Sequence, residues 1–149
     1  MMRMLDSAGL AYLAHAYDPA LTNGQLVAAA VGKGQEETFK TLVTVGASGG
    51  HIVFVIPVGG TLSLKKAAKA AGEKSVVMLP QKELLPLTGY VHGGCSPIGM
   101  KKPFPTYIDE TAVLFDSICF SAGRRGAQVE MEPEALCAFL GAGFADLTE

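Results

Sequence analysis

The feature that most restricts the fold of this chain is a pair of β-branched segments in its first half. FKTLVTVG occupies positions 39–46, and HIVFVIPV occupies positions 51–58. The four residues between them, Ala47-Ser48-Gly49-Gly50, have the small, glycine-rich character of a tight turn. The pattern therefore predicts a β-hairpin. The second segment is the longest strongly apolar run, and it is far shorter than the ~20 residues that a membrane-spanning helix needs.

The other local signals predict helices and strands in a mixed order. Ser63 can cap a helix at 64–71 that Gly72 ends, and Pro133 can start a helix that one of the glycines after residue 140 ends. Further helices are predicted at 2–8, 24–31 and 81–87, and further strands at 10–17, 75–79, 106–109, 116–123 and 127–132. Because strands and helices do not alternate strictly, the order favours an α+β fold with a mixed sheet or barrel over a doubly wound parallel sheet.

Length and composition restrict the class of protein. A chain of 149 residues argues for one domain, spanning 1–149, that needs no disulfide or metal to hold its core. The net charge is -2 and charged residues make up 17%, so nucleic acid could be bound only through a local basic patch. The 3 cysteines form no CxxC pair, and the N-terminus lacks the apolar segment of a signal peptide. We therefore expect a reducing, cytoplasmic location and no membrane partner.

The segment GGCSPIGMKK at 93–102 resembles a phosphate-binding loop only in part. Gly94 and Gly99 have the spacing of a P-loop, but Met100 replaces its lysine and Lys101 comes one position late. Nucleotide hydrolysis is therefore rejected. The glycines still allow backbone N–H groups to approach an anion or a carbonyl group closely.

Single reactive side chains leave alternatives open. Cys95 is interpreted as a small packing residue, and its alternative role as a nucleophile would need a base such as His92. His15, His51 and His92 are isolated in the sequence, so no metal site is expected. Lys40 lies within an apolar strand, where it either faces solvent or presents a fixed cation to a cavity; the strand pattern favours the solvated position.

Several stretches of the chain, in order, resemble the YbaK/EbsC family. They are FKTLV at 39–43, PVGGTLSLKKAAKAAG at 57–72, TGYVHGGCSPIGMKK at 88–102, PTYID at 105–109 and SAGRRG at 121–126. The resemblance implies a mixed, barrel-like β-sheet flanked by helices, related to the editing domain of bacterial prolyl-tRNA synthetases. It also implies an aminoacyl-tRNA deacylase, most similar to the branch that clears Cys-tRNA(Pro), with no cofactor, no metal and no protein nucleophile.

The resemblance further implies roles for individual residues. Lys40 would hold the terminal nucleotide or the ester, the Gly93 backbone would contact the scissile carbonyl or the amino acid, and Ser121 would be a polar residue of the pocket. The substrate-binding residues would be Tyr17, Thr41, Gly94 and Ser96, and the tRNA-binding residues Lys101, Lys102, Arg124 and Arg125. Gln128 is a departure, because relatives often carry an acid just after the SAGRRG turn, and this leaves the amino acid that is hydrolysed open.

Three alternatives accompany this prediction. The protein could hydrolyse the ester of another small amino acid, such as Ala-tRNA(Pro). It could bind a tRNA 3′ end without catalysis. It could also be a cysteine hydrolase that uses Cys95. The expected partners are the 3′ acceptor end of aminoacyl-tRNA and, by family precedent, prolyl-tRNA synthetase.

Overall fold

In the computed structural model, which describes residues 1–149, the chain forms five α-helices and eight β-strands. The helices are α1 (Met2–Ser7), α2 (Gly24–Ala30), α3 (Leu64–Ala71), α4 (Leu84–Thr88) and α5 (Pro133–Leu140). The strands are β1 (Leu13–Ala16), β2 (Phe39–Gly46), β3 (His51–Pro57), β4 (Val76–Met78), β5 (Thr106–Asp109), β6 (Ile118–Ser121), β7 (Ala127–Met131) and β8 (Gly143–Ala145). None of the helices combines the length and the apolar character needed to cross a bilayer.

The helix ends follow the local signals in the sequence. The side chain of Ser63 accepts a hydrogen bond from the backbone N–H of Lys66 at 3.2 Å and so caps α3, which ends at Gly72 with φ 70°. Pro133 is the first residue of α5, and Gly141 ends that helix with φ 63°. Glycine is favoured at both ends because a side chain is strained at positive φ. These predicted boundaries are confirmed.

The predicted hairpin is also confirmed. β2 and β3 pair antiparallel along their whole length, from Phe39 opposite Pro57 to Val45 opposite His51. They form the centre of a five-stranded sheet with the order β4-β2-β3-β5-β8. The β3/β5 and β5/β8 pairs are parallel and the other two are antiparallel, so the sheet is mixed.

A second, three-stranded sheet has the order β1-β7-β6 and is antiparallel. A single bridge between Thr38 and Cys119 brings β6 beside the start of β2 and connects the two sheets. The main core lies between them, where Phe39, Val55 and Ile108 from the larger sheet pack with buried residues of the smaller one, such as Phe120. This arrangement confirms the predicted α+β class.

Both faces of β3 are buried. Val53 and Val55 point into the core between the sheets, whereas Ile52, Phe54 and Ile56 pack in a second core that includes Ala67 and Ala68 of α3. A strand that is buried on both faces requires a continuous apolar sequence instead of an alternating one. The uninterrupted HIVFVIP segment therefore reflects the central position of β3 in the fold.

Some elements depart from the prediction. The predicted strand at 10–17 is shorter and covers Leu13–Ala16, and the parallel edge strand Gly143–Ala145 was not predicted. The predicted helix at 81–87 begins as a 3₁₀-helix, Gln81–Glu83, and continues as α4, whereas the 3₁₀-helix Glu110–Leu114 was not predicted. The edge strand β8 forms by pairing with β5 and carries a weak local signal.

The unpaired edge of β2 creates the space for a site. β3 occupies one edge of β2 completely, so β6 and β4 both adjoin the other edge. β6 meets it at Thr38 and β4 meets it from Thr44 onward, which leaves a gap along the residues between them. Successive residues of a strand point their backbone N–H and C=O groups to opposite edges. The backbone oxygens of Glu37 and Val43 accept hydrogen bonds on the edge away from β3, from Cys119 and Leu79. Thr41 is an even number of residues from both, so its backbone N–H and C=O point into the gap.

Candidate functional site

A cavity of about 220 Å³ fills the gap beside β2. Three of its sides are formed by the edge of β2, the β6/β7 end of the smaller sheet, and the segment that contains α2. The loop after α4 closes a fourth side. The lining residues are Tyr17, Thr22, Gly24, Val27, Thr38, Phe39, Lys40, Thr41, Leu42, Val58, Leu84, His92, Gly93, Cys95, Ser121 and Gln128.

Three polar atoms in the cavity wall have no partner within the protein. They are the hydroxyl oxygens of Tyr17 and Thr41 and the amide oxygen of Gln128, and all three are buried. Burying a polar group without a hydrogen bond costs about 1–3 kcal/mol, so such groups are rare in folded proteins. Their concentration in one cavity indicates a site that is built to bind a polar ligand.

Lys40 adds a cation to the lining of the same cavity. It is half-buried on β2, and no carboxylate pairs with it. Desolvation by burial lowers the pKa of its ammonium group below the ordinary value of 10.5. The larger sheet thus holds an uncompensated positive charge at the edge of the cavity. The strand pattern had favoured a solvated position, and the structure instead gives Lys40 the alternative considered, a fixed cation that faces a cavity.

Gly93 brings the glycine-rich loop to the cavity. Its φ is +84°, a conformation that only glycine adopts without strain. A Cβ atom at this position would lie 3.3 Å from both Arg125 Nε and Thr22 Cγ2. The loop is held by Arg125, whose Nε donates a hydrogen bond to the backbone oxygen of His92 at 3.0 Å. The backbone of Gly93 therefore faces the site at close range.

Two other predicted substrate-binding residues lie outside the cavity lining. Gly94 packs against the turn after β6, where a Cβ would come within 3.0 Å of the backbone nitrogen of Arg125 and 3.1 Å of the backbone of Arg124. Ser96 is fully buried, and its hydroxyl accepts a hydrogen bond from the backbone N–H of Ile98 at 3.2 Å. Both residues therefore stabilise the conformation of the loop without lining the cavity.

The four predicted tRNA-binding residues are all exposed, but they fall into two groups. Arg124 and Arg125 form the turn that packs on the loop at the cavity mouth. Lys101 donates to the backbone oxygen of Pro86 at 3.3 Å, and Lys102 lines a second cavity formed mainly by apolar residues of the loop, α1 and α5. None of the four lines the cavity, and only the arginine pair packs on the loop segment that supplies Gly93.

The Cys95 thiol and the Ser121 hydroxyl lack the features of activated nucleophiles. Burial raises the pKa of the Cys95 thiol to about 12, although a hydrogen bond with Thr88 opposes this shift, so the group is a neutral thiol near pH 7. The Ser121 hydroxyl accepts a hydrogen bond from the backbone N–H of Gly123 at 3.2 Å and forms no hydrogen bond with a histidine. An activated nucleophile needs an adjacent base or a lowered pKa.

A separate group of side chains could be considered for a metal. His15, Cys119 and Glu130 offer ligand atoms that all lie within 4.8 Å of one another. Glu130 already accepts hydrogen bonds from His15 Nε2 at 2.8 Å, from Lys33 Nζ at 3.0 Å and from the Ser117 hydroxyl. Because the lysine supplies the counter-charge and burial raises the pKa of the Cys119 thiol to about 12, the group has the character of an ion-pair network.

Several lining residues were not identified from the sequence. Thr22, Gly24 and Val27 belong to the α2 segment, and Thr38 precedes β2. Gly24 is closely packed, since a Cβ there would lie 2.7 Å from Val58 Cγ1. Nothing in their local sequence distinguishes them from ordinary cap and core residues. Gln128 was noted only as a departure from the family pattern, and its place in the wall follows from its position beside Ser121 in the β6/β7 pair.

Comparison with known proteins gives this geometry a context. An Enterococcus faecalis (strain ATCC 700802 / V583) protein named "Putative Cys-tRNA(Pro)/Cys-tRNA(Cys) deacylase EbsC" is 46% identical over 149 residues, covering 99% of this chain and 91% of its own. This relative bears out the resemblance inferred from the residues.

Solved structures agree in fold. The crystal structure of hypothetical protein APE2540 matches with a TM-score of 0.91 at 26% identity, covering 99% of this chain and 98% of that one. A crystal structure of "a putative trans-editing enzyme for prolyl tRNA synthetase" matches with a TM-score of 0.85 at 29% identity, covering 97% of this chain and 92% of that one. The aminoacyl-tRNA editing domain matches residues 18–139. With the family matching most of its length and a near-full-length relative at 46% identity, the chain belongs to the aminoacyl-tRNA editing domain family.

Proposed function

We propose that this protein is a trans-acting deacylase that hydrolyses the ester of mischarged tRNA, with Cys-tRNA(Pro) as its preferred substrate. The observation that carries the proposal is the cavity that Lys40 and three unpartnered polar atoms line together, in which burial raises the pKa of the Cys95 thiol. A site of this kind is suited to holding a substrate that supplies its own nucleophile. The name of the 46% identical relative supports the same substrate.

The reaction begins with the thiol of the bound cysteinyl group. The sulfur attacks the ester carbonyl and forms a C–S bond, which gives a tetrahedral intermediate with a negatively charged oxygen. The intermediate collapses as the bond between the carbonyl carbon and the 3′ oxygen breaks, and that oxygen takes up the proton that the thiol lost. The products are tRNA with a free 3′ hydroxyl and a cyclic cysteine thiolactone, which water then opens to free cysteine.

The protein contributes position and charge. The Lys40 ammonium stabilises the developing oxyanion, and the backbone N–H of Thr41, which points into the same gap, is a second donor. The Gly93 backbone contacts the carbonyl region of the substrate. Tyr17, Ser121 and Gln128 hold the polar groups of the amino acid and the terminal ribose. In this mechanism neither Cys95 nor a metal ion takes part.

The tRNA is bound through a basic rim. Arg124 and Arg125 lie at the cavity mouth and contact the phosphates of the acceptor end, and Lys101 and Lys102 extend this positive surface along the loop. A protein with a net charge of -2 and so few phosphate contacts has weak affinity for tRNA by itself. Association with prolyl-tRNA synthetase in the cytoplasm supplies the missing selectivity for tRNA(Pro).

The test is a deacylation panel with one ester changed at a time. Purified protein is incubated with Cys-tRNA(Pro), Ser-tRNA(Pro), Ala-tRNA(Pro) and Pro-tRNA(Pro), each compared with buffer alone. We expect the cysteinyl ester to be released fastest and the seryl ester, which differs by oxygen in place of sulfur, to be nearly stable. Release no faster than in buffer for all four would refute the proposed function. Equal rates for the cysteinyl and seryl esters would refute catalysis by the substrate thiol.

Two additions extend the panel. A chelator is expected to leave the rate unchanged, because no step uses a metal. Prolyl-tRNA synthetase is expected to increase the preference for tRNA(Pro) over tRNA(Cys) carrying the same cysteinyl ester, and an unchanged preference would argue against the proposed partner.

A further inference from the structure

Glu130 lies on the same face of the smaller sheet as the cavity wall. On β7 it is two residues from Gln128, and on the neighbouring strands its register partners are Cys119 and Leu13. Alternate residues of a strand share a face and are about 6–7 Å apart, so the Glu130 carboxylate is a direct neighbour of the wall. Nevertheless it does not line the cavity.

The Glu130 carboxylate is almost fully buried and accepts hydrogen bonds on both oxygens. Its side chain is 10% exposed, and it accepts hydrogen bonds from His15, Lys33 and Ser117. Burial alone would raise the pKa of Glu130, but hydrogen bonds from Ser117, His15 and Lys33 outweigh burial and lower it to about 2. The group is therefore an anion near pH 7, and Lys33 is its lysine partner.

Along the chain, Lys33 lies between α2 and β2, two elements that line the cavity. It follows α2, which contributes Gly24 and Val27 to the wall, and its backbone N–H donates to Ala28 at 2.9 Å. The residues after it lead directly to Lys40. They are held by bonds from the Thr38 hydroxyl to the backbone oxygen of Gly34 at 3.0 Å, and from the backbone N–H of Cys119 to the oxygen of Glu37 at 2.9 Å.

We propose that the Lys33–Glu130 ion pair is a positioning element of the editing site. It fixes the α2 segment and the start of β2 against the smaller sheet. The inference rests on the proposed deacylase function. The pair joins residues that are 97 positions apart and connects the segment after α2 to β7, the central strand of the smaller sheet. Lys33 and Glu130 act through Lys40 and the wall and do not touch the substrate.

The expected effect is on the chemical step. When the pair is broken, the wall and Lys40 can shift relative to the bound ester, and misplacement of reacting groups by about 1 Å reduces rates by up to about 100-fold. Affinity for tRNA, which depends on phosphate contacts elsewhere, is expected to stay the same. The pair should therefore change kcat and leave KM nearly unaltered.

The experiment compares Lys33→Met, which keeps the aliphatic stem, with Lys33→Arg, which keeps the charge, and with Glu130→Gln. Lys69→Met on α3 is the matched control, because it makes the same change at a lysine without an ion pair. We expect Lys33→Met and Glu130→Gln to lower kcat on Cys-tRNA(Pro) about 10- to 100-fold with KM within about twofold. Lys33→Arg and Lys69→Met should stay near the wild-type kcat.

Hydrogen exchange provides a readout that does not depend on activity. Backbone amides in residues 24–37 should exchange faster in Lys33→Met than in wild type, with no change in β3 or β5. Lys33→Gln, which retains a donor, serves as a second variant if Lys33→Met does not fold. If the wild type lacks deacylase activity, the proposed function fails while this exchange result still tests the pair.

Two results would overturn the inference. One is wild-type kcat and unchanged exchange in folded Lys33→Met, which would leave the pair with no positioning role. The other is stoichiometric binding of Zn²⁺ to the wild type that Cys119→Ser abolishes. That would make His15, Cys119 and Glu130 a metal site from which Lys33 is displaced.

Discussion

Replacement of Lys40 by methionine should reduce activity and increase stability at the same time. The substitution keeps the aliphatic stem and removes the ammonium group. In the wild type this group is half-buried on β2 without a protein counter-charge, and burial lowers its pKa. A cation in this environment destabilises the folded state, and under the proposed function the substrate would compensate for this cost.

The loss of activity follows from the proposed role of the charge. A preorganised donor to an oxyanion contributes about 3–4 kcal/mol to the transition state, which corresponds to a decrease in kcat of about 100- to 1000-fold. The gain in stability is smaller, about 1 kcal/mol, which is typical when an unfavourable functional residue is replaced. For a domain of this size that gain raises Tm by roughly 2–4 °C.

The pH dependence has a definite sign. Because the pKa of Lys40 is lowered in the folded state, the unfolded chain binds more protons between that pKa and 10.5. Stability therefore rises with pH across this window in the wild type, and this contribution is absent in Lys40→Met. Activity that requires the ammonium group should fall as pH rises through the same lowered pKa.

The assay combines single-turnover deacylation of Cys-tRNA(Pro) with urea and thermal unfolding of the same preparations. Lys69→Met is the control for removing a lysine charge elsewhere. A Lys40→Met rate within about threefold of wild type would refute the role of Lys40 in the reaction. A lowered Tm together with normal activity would show that Lys40 stabilises the fold and has no role in the reaction.

The remaining predictions concern the loop and the ion pair. Cys95→Ala should keep near-wild-type kcat, since the thiol pKa is about 12, and an abolished rate in folded protein would restore the cysteine-hydrolase alternative. Gly94→Ala should cost about 1–3 kcal/mol in urea unfolding, because its Cβ would lie 3.0 Å from backbone atoms that cannot move aside; an unchanged midpoint would contradict this packing. The free energy of unfolding of the wild type should fall as pH drops from 4.5 toward about 2, where Glu130 protonates. Glu130→Gln should flatten this part of the stability–pH profile. Parallel profiles for the two proteins would show that Glu130 contributes nothing to it.

Much of the fold could be predicted from local sequence. The hairpin, the Ser63 cap and the glycine at the end of α3 are encoded within a few residues of where they act, because turns and helix ends depend on short-range sterics and hydrogen bonds. β8 could not be predicted in this way, since its three residues become a strand only by pairing with β5. The family was also identifiable, because its segments occur in order along the chain, and the comparisons confirm it.

The candidate site was predictable only in part. The residues taken from the resemblance include five that line the cavity, namely Tyr17, Lys40, Thr41, Gly93 and Ser121. Their roles remain proposals. Gly94 and Ser96 share the same glycine-rich loop but face away from the cavity, and no pattern of residue types distinguishes the two sides of an irregular loop. The contribution of α2 was likewise invisible, since its lining residues look like ordinary core positions.

The sequence by itself determined most element types, the α+β class and the family, because these depend on neighbouring residues or on segments that can be read in order. Only the tertiary structure decided that Lys40 is half-buried beside a gap in the sheet, since that gap exists only where β6 and β4 approach one edge of β2 without meeting. The same holds for Lys33 and Glu130, whose contact across 97 positions is made by the packing of the two sheets. A charge on a strand has the same local pattern whether solvent or a substrate faces it, and long-range packing alone decides between them.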